Sequence, residues 1–156
     1  MERDCGAWIN LLSRMVRRRL NATLQGLGIT AIQSRVIFYI LEHSPRQPVY
    51  QRDIESAFQL SRSTATGILQ QLERKGILVR ESVEQDARLK SLVPTARAVE
   101  LNEQVRACLR QTEALLTQGL SEGQVRLFIE TAAAMARNLE AEDCAATPGE
   151  AENKFG

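Results

Sequence analysis

The sequence predicts a mainly α-helical fold with one small β-hairpin, and three observations carry that prediction. Apolar residues recur at three-and-four spacing through most of the 156 residues. One pair of runs rich in β-branched residues, 77–83 and 89–93, interrupts that pattern. Charge is split unevenly: residues 1–97 carry a net +6 and residues 98–156 a net −5, which together give the overall +1. A basic segment followed by an acidic one points to a lobe that meets a polyanion and a second lobe with another task.

Between residues 4 and 25 the side chains Trp8, Leu11, Leu12, Met15, Val16, Leu20 and Leu24 form one stripe, which predicts a first helix. Arg14, Arg17, Arg18 and Arg19 stand on its other faces, and Gly26 and Gly28 close it. Thr30 and Gln33 have capping-box spacing and open a second helix with the stripe Ile32, Val36, Ile37, Ile40 and Leu41. Pro45 and Pro48 end it. Val49 and Tyr50 are expected to form a short strand ahead of a third helix over 51–58, with Ile54, Ala57 and Phe58 inward. After Gln59 and Leu60, Ser61 is the expected N-cap of a fourth helix that reaches Lys75 and stops at Gly76, burying Ala65, Ile68, Leu69 and Leu72.

The two β-branched runs then read as a hairpin whose polar tip is residues 84–88. Pro94 ends the second strand. Thr95 is expected to cap a long helix, with Val99, Leu101, Val105, Cys108, Leu109, Leu115 and Leu116 on its stripe, broken at Gly119. Ser121 and Gln124 form another capping box, for a last helix carrying Val125, Phe128, Ile129, Ala132, Met135, Ala136 and Leu139. Residues 143–156 turn small, acidic and Pro/Gly-containing, the composition of a disordered tail.

Two helices joined by the short turn Gln59-Leu60 and followed by a hairpin describe a winged helix-turn-helix. The second helix of such a pair fits the major groove of DNA, and the hairpin reaches toward the adjacent minor groove. Ser61, Ser63, Thr64 and Thr66 are short enough to let the helix approach and can bond phosphates or base edges, while Arg62 suits bidentate recognition of guanine. Arg74 and Lys75 at the helix end, with Arg88 and Lys90 on the wing, are expected to supply charge to phosphates or the minor groove. Asp86 is two residues before Arg88, where its carboxylate can hold the guanidinium in place.

An enzyme is not expected. The single histidine, His43, ends a helix beside Ser44-Pro45, the position of a dipole partner. There is no nucleophile motif, no glycine-rich phosphate loop and no metal-ligand spacing, so neither cofactor nor metal is expected. Cys5, Cys108 and Cys144 are odd in number and widely spaced, which suits a reducing compartment. Apolar runs are short, no signal-peptide layout opens the chain, and a cytoplasmic protein without a membrane partner is expected.

The stretch LSRSTATGILQQLERKGIL over 60–78, with Asp86, Arg88, Lys90 and Thr95, resembles the MarR family of bacterial winged-helix regulators. Pro94 and Ala98 depart from the family pattern, where Leu and Gly are usual. The resemblance implies one domain over 1–142, with a winged lobe at about 30–97, dimerisation helices at about 4–26 and 95–140, and the tail beyond. It also implies a homodimeric repressor on double-stranded DNA, released by a small aromatic or anionic effector. The first helix supports dimerisation independently, because its stripe, on a helix of about 33 Å, is too long for a small winged lobe to cover. Two-fold symmetry then predicts a pseudo-palindromic operator with half-sites about 10 bp apart. Two alternatives stay open: a regulator of the same fold that senses oxidation, with Cys5 as its candidate thiol, and a winged-helix protein-interaction module.

Overall fold

A computed structural model of the protein describes residues 4–83 and 86–145. These form α1 (Cys5–Gly26), α2 (Ala31–His43), α3 (Gln51–Phe58), α4 (Arg62–Arg74), β1 (Leu78–Val83), β2 (Asp86–Pro94), α5 (Ala96–Thr117) and α6 (Glu122–Ala145). Side chains from Val83 through Arg88, and from Glu142 onward, lie outside the described set. The chain divides into two compact units, residues 1–113 and 114–156.

The first unit holds the core. Leu24 of α1, Val36, Ile37 and Ile40 of α2, Ile54 of α3, Leu69 and Leu72 of α4, Leu78 and Leu92 of the hairpin, and Leu101 and Val105 of α5 pack into one buried cluster. Local chemistry sets where the helices begin and end. The Asp4 carboxylate accepts the Ala7 N–H at 2.7 Å and starts α1, while Gly28 takes a positive φ of 67° just after it. Thr30 and Gln33 form the expected capping box at the head of α2. Within α3 the i, i+4 pair Ile54 and Phe58 faces inward, whereas Ala57 is exposed at the edge of that face.

Four further expectations change. Val49 and Tyr50 are not a strand; Val49 instead offers its carbonyl to the Leu92 N–H at 2.7 Å, a single bond to the edge of β2. The hairpin tip is shorter than 84–88, because β2 starts at Asp86 and Val83 pairs with it across an irregularity at Ser82/Val83. Thr95 holds the cap position of α5, its carbonyl accepting the Ala98 N–H at 3.0 Å, but its hydroxyl goes to the carbonyls of Gly76 and Ile77, at 2.8 and 3.0 Å, and pins the root of the wing. The helix α6 continues to Ala145, past the expected boundary at 143, because Asp143, Cys144 and Ala145 include no helix breaker. The rest of the expected tail, 146–156, lies outside the described residues.

In the second unit, α6 opens with the predicted capping box, the Ser121 N–H on Gln124 Oε1 and the Gln124 N–H on Ser121 Oγ. None of its described residues is buried, and Leu127, Phe128, Ile129 and Leu139 are each 59% exposed or more.

Candidate nucleic-acid interface

The helix pair α3–α4 turns through Gln59, which adopts the left-handed conformation with φ 52° and ψ 44°. The Leu60 N–H returns to the Glu55 carbonyl at 2.9 Å. Ser61 then caps α4: its hydroxyl accepts the Thr64 N–H at 3.2 Å and lies 2.8 Å from Thr64 Oγ1 and 3.1 Å from Ser63 Oγ. Ala65, Leu69 and Leu72 are fully buried beneath, which leaves Arg62, Ser63, Thr64, Gln70 and Arg74 exposed on the outer side. The exposed start of α4 is thus small, hydroxyl-rich and cationic.

Two of the expected contact residues, Thr66 and Lys75, are bonded within the chain. The Thr66 hydroxyl donates to the Arg62 carbonyl at 2.8 Å, one turn back, and accepts the Gln51 side-chain N–H at 2.9 Å. It therefore joins α3 to α4. Lys75 extends its ammonium to the Gly28 carbonyl at 2.6 Å and to Gln33 Oε1 at 3.2 Å, because the C-terminal end of α4 abuts the turn between α1 and α2. Lys75 is exposed, and its ammonium is bonded to a backbone carbonyl 47 residues away.

Register fixes the face of the wing. Leu78, Arg80 and Ser82 of β1 oppose Pro94, Leu92 and Lys90 of β2, so these six side chains share one side. It is apolar at the root, where Leu78 and Leu92 are buried, and becomes polar outward, where Lys90 Nζ bonds the Ser82 hydroxyl. Arg80 stands between. Its guanidinium meets Glu73 Oε2 of α4 at 3.0 Å and Gln51 Oε1 of α3 at 3.5 Å, tying the wing to both helices. Asp86 and Arg88 stand on β2, and their side chains are among those outside the described set.

Between α3, α4 and the wing lies a hollow of about 400 Å³ lined by Tyr50, Gln51, Arg52, Glu55, Arg62, Thr66, Arg80, Leu89 and Lys90. Four cations face one carboxylate across it. Gln51, Arg52 and Arg80 were not expected in this position. Parity carried a signal for Arg80, since it stands two residues from the apolar Leu78 as Lys90 does from Leu92. No sequence signal marks Gln51, whose role depends on where α4 packs.

A second hollow in the first unit, about 540 Å³, opens between α1, α2 and α5. Leu20, Leu24, Phe38, Tyr39, Phe58, Val105 and Leu109 give it apolar walls, with Arg35 and Arg106 at its edge. The His43 ring stacks on Tyr39 with centroids 4.0 Å apart, and its Nδ1–H donates to the Tyr39 carbonyl at 2.8 Å, a structural helix-end role. On α1, Arg14, Arg17 and Arg18 stand along a shallow exposed groove, while Arg19 Nε bonds Thr112 Oγ1 of α5 at 3.3 Å. Cys5 is exposed at the start of α1, and Cys108 accepts the Thr23 hydroxyl at 3.1 Å. Among the described residues no His, Cys, Asp or Glu cluster is placed to hold a metal ion, and no single helix is long and apolar enough to cross a membrane.

Comparison with known proteins gives this geometry a context. The sequence model of the MarR family matches residues 27–89, the span from the α1–α2 turn into the wing. The fold is similar to that of S. aureus MepR in its DNA complex, with a TM-score of 0.75 at 25% identity over 83% of this chain and 96% of that one. It is similar to MepR bound to ethidium bromide, with a TM-score of 0.71 at 24% identity over 88% of this chain and 97% of that one. It is also similar to MepR described as a transcription regulator of the S. aureus multidrug efflux pump MepA, with a TM-score of 0.78 at 23% identity, covering 88% and 99%.

Proposed function

We propose that the protein, whose residues 27–89 match the sequence model of the MarR family and whose fold is similar to that of MepR in its DNA complex, is a homodimeric DNA-binding repressor. It acts in the cytoplasm on a pseudo-palindromic operator, with α4 in the major groove and the wing along the backbone. The observation that carries this reading is the exposed start of α4, where Arg62, Ser63 and Thr64 stand beside a hollow that also gathers Arg52, Arg80 and Lys90. Arg62 reads a base edge, Ser61, Ser63 and Thr64 bond phosphate or base edges, and Arg74, Arg88 and Lys90 engage phosphates. Asp86 positions Arg88.

Dimerisation is supported within each unit. On α1, Trp8, Ile9 and Met15 are 50% exposed or more, and α6 leaves Leu127, Phe128, Ile129 and Leu139 open. Apolar exposure on this scale marks a surface that another chain covers. The hollow between α1, α2 and α5 is of ligand size, and its aromatic walls with Arg35 and Arg106 suit a small aromatic or anionic effector that releases DNA. The role is regulatory, with no catalytic step.

Duplexes selected by the protein from a random pool test the proposal. Recovery of a two-fold symmetric site with half-sites about 10 bp apart is expected from the docking geometry. Recovery of no enriched sequence by a folded protein would refute it.

A further inference from the structure

Gln33 is a buried polar residue, 1% exposed, at the third position of α2. Its carboxamide does more than close the capping box. Oε1 accepts the Thr30 N–H at 3.1 Å and the Lys75 ammonium at 3.2 Å, while Nε2 donates to Gln71 Oε1 at 2.6 Å. Lys75 also donates to the Gly28 carbonyl at 2.6 Å. Two of these partners, Gly28 and Thr30, belong to the α1–α2 turn; the other two, Gln71 and Lys75, belong to the last turn of α4 and its cap.

An apolar side chain of similar size would fill the same volume without directional demands. An amide in that place costs desolvation unless each of its groups is bonded, and once bonded it fixes the groups around it in one arrangement. Here the fixed arrangement is that of the end of the groove-reading helix against the turn leaving α1. We infer that Gln33 and Lys75 form a clamp that sets the position of α4 relative to α1, and that this clamp makes the protein selective for half-site spacing.

The inference rests on the DNA-binding, dimeric reading proposed above. A recognition helix held rigidly on each subunit accepts one separation of half-sites, whereas a helix free to shift accepts several. The clamp and the ligand-sized hollow share the first turn of α2, which offers different side chains to each. Ala31, Ser34 and Arg35 line that hollow, and Gln33 stands between them in sequence with its side chain on α4. A displacement of the first turn of α2 therefore moves the end of α4.

The test compares Gln33→Leu, Lys75→Met and Gln33→Glu in the full chain, each first checked for a cooperative melt. The probes are the duplex selected by the wild type and the same duplex with one base pair inserted between half-sites. Gln33→Leu and Lys75→Met should lower the affinity ratio between the two duplexes by on the order of tenfold, the scale of a lost hydrogen bond involving a charged group. Gln33→Glu should keep the wild-type ratio, because it retains both acceptor contacts and the Gln71 amide can rotate to donate.

If Lys75 served only as a phosphate contact, Lys75→Met would weaken both duplexes alike and leave the ratio unchanged, which would overturn the clamp. Loss of the ratio in Gln33→Glu as large as in Gln33→Leu would also overturn it. Should Gln33→Leu fail to fold, Lys75→Met and Gln33→Glu decide the matter. A wild-type protein that binds no duplex refutes the DNA-binding reading itself, while one that binds but ignores spacing refutes the clamp alone.

Discussion

Ser61 and Arg62 are neighbours with separable duties. The Ser61 hydroxyl satisfies the Thr64 N–H at the start of α4, so Ser61→Ala should lower stability by about 1 kcal/mol, read from a denaturant melt. Arg62 is exposed at the first position of α4, from which its side chain can reach a groove. Arg62→Ala should relax preference at one base pair by about 1–3 kcal/mol, whereas Lys90→Ala should weaken binding to all sequences alike. Competition assays against single-base operator variants check both; an unchanged ranking for Arg62→Ala would remove its base-reading role. Ser61 was legible in the sequence because capping is local, completed within three residues. The bonds of Thr66 to Gln51 and of Lys75 to Gly28 were not, since each is decided by what packs against α4, and for Lys75 that partner is 47 residues away.

Among the elements, the turn of the helix pair and the root of the wing hold the interface in shape. Gln59 has a left-handed backbone that favours glycine, so Gln59→Gly should be neutral or stabilising by up to about 1 kcal/mol. Gly76→Ala, at φ 66°, should destabilise by about 1 kcal/mol, because alanine meets the strain that glycine avoids. Thermal melts of the two variants should therefore shift in opposite directions or, for Gln59→Gly, not at all. Arg80→Ala should raise hydrogen exchange across 78–82 by cutting the tie to Glu73 and Gln51. Periodicity located α3 to the residue and the others closely, since stripe, cap and glycine stop agree there. It misjudged the hairpin tip, where the polar residues Asp86 and Arg88 look like loop but stand on β2, with Asp86 opposite Val83.

At the scale of the whole molecule, the uneven charge and the exposed apolar helices lead to one prediction each. Sedimentation at micromolar concentration should give twice the 17.4 kDa chain mass, and an Ile9→Glu/Met15→Glu variant should shift toward the monomer. The +6 segment contains α1, the helix pair and the wing, so DNA affinity should depend on released counterions and not on the nearly neutral total. The most direct test is fluorescence anisotropy of the selected duplex over a salt series. For a dimer that touches six or more phosphates, affinity should fall by about 10³ or more between 50 and 200 mM salt, linearly in the logarithms. A folded dimer whose affinity is flat across that series, or which does not bind, would contradict the assignment of α4 and the wing to DNA.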